Sequence, residues 1–295
     1  MKRIFFLNLF IVLALFIASP LYAFDILEQL NIDPDRLEKA KKIFEGATNI
    51  MASSTDLDYS SEFAIGESLA LEGFKRYGLP IRNQEFQRYV NLLGNSIARN
   101  STRSDISYYF VVVDSSIYNA FSCPGGIIFI SSALIKSMND ESELASVLAH
   151  EIAHISHKHA LKSIKRAKFF EGVSKITAVT MKKDDGKSFQ EMIGNLQTTL
   201  FDNGLDQNME FEADASAMDL LYRTGYAPSG FIKVLEMLQA REAGSEKKGS
   251  WFSTHPPLYI RISKCQGKMS IFGNDNKLAK GSERFIEFKK KGNLM

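Results

Sequence analysis

Cysteine and tryptophan are scarce in this chain: two of the first and one of the second in 295 residues. Two cysteines, Cys123 and Cys265, allow at most one bridge, which excludes a disulfide-stapled scaffold and any metal module built on four thiolates. An excess of one charge is also missing. Lys and Arg total 36 against 34 Asp and Glu, for a net charge of +2. No Arg-rich stripe or aromatic–basic interleave accompanies them, so nucleic acid is excluded as a partner. Beyond residue 23 there is no apolar run long enough to span a bilayer, which excludes an integral membrane domain there. Internal repeats are absent too. What is present is ordinary globular material, 45% hydrophobic and 24% charged, enough for a well-filled core.

The first residues form a separate pattern. Met1-Lys2-Arg3 is basic, Ile4 to Ala18 is apolar apart from Asn8, and Ser19-Pro20-Leu21-Tyr22-Ala23 supplies a helix breaker and a small residue at a cleavage position. This predicts a secretory signal peptide over 1–23 and an exported chain; an uncleaved anchor is the other reading. In an exported protein Cys123 and Cys265 form either a disulfide or two independent thiols, and spacing does not choose between them.

Periodicity organises the rest. Asp25 to Ala52 reads as a charged helix. Ser61 to Tyr77 reads as another, ended by Gly78-Leu79-Pro80, and Asn83 to Asn100 as a third with Phe86, Tyr89, Val90, Leu93 and Ile97 at helical spacing. The period then shortens. Ser107 to Asp114 is β-branched and aromatic, Asn119-Ala120-Phe121 is a second short strand, and Gly126 to Ile130 is a third entered through Pro124-Gly125. Short links between three strands favour a small antiparallel sheet. After Ser131 the chain is mostly helical, interrupted by the polar Lys182 to Lys187. The fold class is therefore α+β, mostly helical, with a single domain over 24–270 and a Lys-rich, partly mobile tail over 271–295.

Chemistry enters at His150-Glu151-Ile152-Ala153-His154. Asp140 followed by Glu143 is a capping-box signature, and Leu144, Val147, Leu148, Ile152 and Ile155 form an apolar stripe, so the motif lies inside a helix. Residues four apart sit one turn above each other, which lets both imidazoles face one zinc ion while Glu151 takes a proton from the attacking water. His157 and His159 fit no extended ligand motif and read as packing or solvent-facing residues. A catalytic zinc needs a third protein ligand and an open position. The best acidic cluster is Glu210-Phe211-Glu212-Ala213-Asp214. Glu210 and Asp214 share a helix face, which would let one bind metal and the other orient a ligand histidine. Periodicity alone leaves Glu210 and Glu212 equal candidates.

Taken in order, Asn119-Ala120-Phe121, Pro124-Gly125-Gly126, Asp140-Glu141, the HExxH helix, Glu210 to Asp214, and Ser253-Thr254-His255-Pro256-Pro257 with Arg261 resemble the zinc peptidases related to the CAAX prenyl endopeptidases and HtpX heat-shock proteases. The resemblance covers about Gly66 to Ile262 and is closest to small, soluble, periplasmic bacterial members. It implies a zincin-type domain with its sheet packed on the HExxH helix. It implies Glu210 as third zinc ligand, Asp214 in support, and His255 and Arg261 as catalytic groups near the oxyanion, with His255 alternatively closing the open zinc position. It also implies that the strand from Gly126 is the edge pairing with substrate, so that Asn119, Ala120, Gly126, Ile127 and Ile128 bind it. The activity implied is zinc-dependent endopeptidase action on polypeptides such as misfolded envelope proteins; a chaperone-like binder of unfolded proteins is the alternative.

Overall fold

The computed structural model describes residues 58–163, 197–242 and 255–294. The expected signal peptide, the helix over 25–52 and the polar break at 182–187 lie outside these residues. Two helices, α1 (Tyr59–Tyr77) and α2 (Gln84–Ala98), lead into β1 (Tyr109–Val113), β2 (Ala120–Cys123) and β3 (Ile127–Ser131). They are followed by α3 (Ser132–Ser137), α4 (Glu141–Ser156), α5 (Gln207–Arg223), α6 (Ser229–Glu242), α7 (Leu258–Lys268) and α8 (Ser282–Lys291). The α+β, mostly helical class is observed. Asn83 caps α2 by accepting from the Phe86 amide, and Asp140 caps α4 by accepting from the Glu143 amide, so both predicted helix starts fall at capping side chains.

The sheet departs from expectation. Its order is β1-β3-β2, with β2 antiparallel to β3 but β1 parallel to it. Between β1 and β3 the chain detours through the β2 strand, and that excursion brings β3 back in the direction of β1. Pro124-Gly125-Gly126 makes the return turn, with φ of +79° at Gly125 and +111° at Gly126. A Cβ on Gly126 would stand 2.1 Å from the Ser107 carbonyl oxygen, so only glycine fits there.

Each sheet face has its own cover. Ala120, Ile128 and Ile130 pack into a core with α2 and α4, while Cys123, Ile127 and Phe129 pack with Leu69, Phe74 and Tyr77 of α1. Helix α4 is buried on every side from Glu141 to Ile155, as befits a helix enclosed by sheet and helices alike. Buried Glu62 of α1 accepts from the Gly125 amide and from Arg103, and Arg103 also donates to the Ile155 carbonyl at the end of α4. One ion pair thus ties α1, the glycine turn and the end of the motif helix. Cys123 and Cys265 are both buried and free, so two independent thiols is the reading that holds.

The C-terminal residues do not form a mobile tail. Phe285 and Leu294 are buried in the main core, and Phe288 stacks on Tyr89 with ring centroids 4.1 Å apart. Arg284 joins Tyr89 and Tyr226 in donating to the buried Glu141 carboxylate at the start of α4. Three apolar side chains among many lysines outweigh the composition, because Phe285 and Phe288 share one face of α8 and Leu294 follows just beyond its end. Phe285→Ala should cost about 3–5 kcal/mol, whereas Ile286→Ala, on the outer side of α8 and 39% exposed, should cost under about 0.5 kcal/mol. Urea unfolding of the two variants checks this, and equal midpoints would contradict the docking of α8.

Candidate metal centre

The site lies where α4 meets α5. His150 and His154, one turn apart on α4, bring their Nε2 atoms within 3.0 Å of each other. Glu210, in the first turn of α5, places Oε2 3.5 Å from His150 Nε2 and Oε1 3.5 Å from His154 Nε2. His255 completes the group, with Nε2 3.4 Å from Glu210 Oε2, and the four side chains can offer atoms that all lie within 4.8 Å of one another. The structure thereby separates the two acids that periodicity left equal: Glu210 is buried in the cluster, and Glu212 points out of it, half exposed.

Proton positions test whether these residues fit a cation. His150 Nδ1 is 3.1 Å from Asp214 Oδ1, and a ring proton on Nδ1, facing that carboxylate, would leave a lone pair on Nε2. That lone pair faces another imidazole nitrogen and a carboxylate. Burial drives both histidines well below their ordinary pKa and Glu210 well above its own, so protonated imidazoles cannot balance the cluster. Convergent donors 3.0–3.5 Å apart suit a tetrahedral ion with ligands at about 2.0–2.1 Å, whose donors stand about 3.3 Å apart. Two imidazoles and one carboxylate fit such a metal.

Glu151 is buried beside this group. Desolvation pushes its carboxyl up to about 8, against the lowering effects of a hydrogen bond from Ser122 of β2 and of the Arg261 charge. Its Oε1 has no hydrogen-bond partner among the described residues. Asp214 is held from α7 by Arg261, whose Nε and Nη2 donate to the two carboxylate oxygens at 2.9 and 2.6 Å. Arg261 is wholly buried, so its expected role at the oxyanion gives way to that of a clamp on Asp214, which in turn faces His150.

The substrate-edge expectation also changes. β3 is the central strand, paired on both sides, so Ile127 and Ile128 cannot offer backbone to another chain, and Gly126 serves the turn. The outer strand beside the site is β2, which begins at Ala120 directly after Asn119 and carries Ser122 to Glu151. His159 was missed by periodicity: it is fully buried, with Nδ1 2.9 Å from His154 Nδ1 and Nε2 3.1 Å from Glu212 Oε2. The helix breaks at Lys158, whose φ is +54°, so helical spacing gave no sign of where His159 points. His157 bonds Ser216 and is partly exposed.

Comparison with known proteins places this geometry. The chain is 30% identical over 191 residues to the β-barrel assembly-enhancing protease of Yersinia pestis, covering 61% of this chain and 38% of that protein. It is 28% identical over 191 residues to the metalloprotease LoiP of Escherichia coli strain K12, covering 65% and 73%. Against the mitochondrial metalloendopeptidase OMA1 of Schizosaccharomyces pombe it is 28% identical over 182 residues, covering 60% and 51%. The chain thus spans well under half the length of the first of these relatives. The profile of peptidase family M48 matches residues 81–268, more than half of the sequence, and the chain belongs to that family.

Proposed function

We propose that this chain is a zinc-dependent endopeptidase, exported to the periplasm, that cleaves exported or misfolded envelope polypeptides. The observation that carries the reading is the convergence of His150, His154 and Glu210 with the buried, raised carboxyl of Glu151 beside them. The names of relatives concerned with β-barrel assembly support envelope polypeptides as the substrate class. No helix among the described residues is long and apolar enough to cross a membrane.

His150, His154 and Glu210 would hold the zinc. When bound, it supplies Lewis acidity, which acidifies water and polarises a peptide carbonyl. Glu151 then takes the proton of the attacking water on its carboxylate and returns it to the leaving nitrogen. A cation nearby pulls the Glu151 pKa back down from its desolvated value, so that the carboxylate is available as a base. Asp214, clamped by Arg261, keeps the His150 proton on Nδ1 and the lone pair on Nε2. The edge of β2 turned away from β3 is where an extended substrate would add its backbone.

His255 gives the site a closed form. A catalytic zinc keeps one position open, and His255, with Nε2 3.4 Å from Glu210 Oε2, is near enough to the other three residues to fill it. That proximity supports reading the site as that of a latent peptidase, opened by withdrawal of His255. Retained substrate without cleavage would instead mark a chaperone-like binder.

Glu151→Gln should keep one zinc per chain, by elemental analysis, and lower casein cleavage by at least about 100-fold; full activity in this variant would rule out the mechanism. His255→Ala, assayed alongside, should keep its zinc and cleave faster than wild type. A loss of cleavage at full zinc occupancy would make His255 a stabiliser of the oxyanion and overturn the closed-site reading.

A further inference from the structure

We infer that His159 and Glu212 are positioning residues for the metal centre: Glu212 fixes the tautomer of His159, and His159 fixes that of the ligand His154. The inference rests on the metal-site reading above and extends it to two residues outside the ligand set.

The argument is a proton count along three side chains. His154 turns Nε2 toward His150 and Glu210, and with a metal held by the three residues that nitrogen would carry the lone pair and the single ring proton would sit on Nδ1. His154 Nδ1–H therefore donates to His159 Nδ1 at 2.9 Å. Having accepted there, neutral His159 carries its own proton on Nε2, which faces Glu212 Oε2 at 3.1 Å. With His159 neutral, this assignment gives every nitrogen in the chain a partner of the right polarity. The carboxylate at the far end supplies the acceptor that selects the tautomer.

Helix α5 thereby serves both histidines. Asp214 faces His150 Nδ1 directly, and Glu212 reaches His154 through one intervening imidazole. Glu210, between the two rings, is the ligand itself. The acids at 210 and 214 share a helix face and Glu212 lies off it, and each meets the metal group by a different route. Lys158 in the left-handed region, an uncommon place for a lysine, is the backbone cost of bringing His159 beneath His154.

A second metal ion is the rival use of the same side chains, since His157, His159 and Glu212 lie close enough to share one. The proton count opposes it. Coordination through His159 Nε2 would move the His159 proton to Nδ1, setting it head to head with the proton on His154 Nδ1. Neutral imidazoles cannot satisfy both arrangements.

The test is zinc affinity of the full chain by chelator competition, with the absorption spectrum of the cobalt-substituted protein as a reporter of ligand geometry. His159→Leu, which can neither accept nor donate, should weaken zinc by about 10–100-fold and alter the cobalt bands. His159→Gln, whose amide can accept from His154 and donate to Glu212, should recover most of that loss. Glu212→Ala, at a half-exposed position that does not threaten folding, should weaken zinc by about tenfold and decides the matter if His159→Leu does not fold. Wild-type affinity and spectrum in His159→Leu and Glu212→Ala would overturn the inference while leaving the metal site intact. So would two zinc ions per wild-type chain with the second lost in Glu212→Ala. A wild-type chain that binds no zinc would overturn the metal-site reading and this inference with it.

Discussion

Arg261 has no surface in contact with solvent, and its guanidinium grips both oxygens of Asp214. Burying an arginine is costly, and the pairing is the compensation: desolvation alone would lower its pKa, and the charge and hydrogen bonds of Asp214, together with the Glu210 charge, more than reverse that. Through this pair α7 is held to α5, and through the contact of Asp214 with His150 α5 is held to α4. The guanidinium also lies 5.9 Å from the Phe231 ring of α6, which adds a fourth helix. Removing either partner would leave a buried charge without its counterion, so the pair holds the helices and the ligand tautomer together.

Around that pair the interior is unusually rich in ionisable groups. Glu151, Glu210, His150 and His154 are all buried within a few ångströms of one another. In an apolar core such a cluster would be unfavourable, since each group loses its hydration. A divalent cation among them changes the balance, because it supplies the charge that the neutral histidines do not. The packing that excludes water from Glu151 is the same packing that brings His150, His154 and Glu210 together. The sheet contributes by placing Ser122 against Glu151, and the Glu62–Arg103 pair keeps the glycine turn and the end of α4 in register with it.

Much of this was legible in the linear order of residues. Capping at Asn83 and Asp140, the helical stripe of α4 and the three short strands are local features, and they appear where side-chain spacing puts them. His150, Glu151 and His154 belong to one helix, so their convergence is a matter of helical geometry alone. The direction of β1 relative to β3 was not legible, because it depends on the path of the chain through β2. Nor was the docking of α8, since Phe285 and Leu294 are few among lysines and their burial depends on the space left by α2 and α4.

What the sequence by itself determined is the set of candidate residues: two imidazoles one turn apart with a carboxylate next to the first, an acidic cluster downstream, and the order of motifs around them. These follow from short-range periodicity, which the backbone imposes on any helix. The tertiary structure decided between Glu210 and Glu212, since only packing of α5 on α4 determines which acid is buried. It moved Arg261 from the oxyanion to Asp214, placed the open sheet edge at β2, and gave His159 a neighbour in His154. Each of those outcomes depends on contacts between residues distant in sequence or across a break in a helix, where spacing carries no directional information.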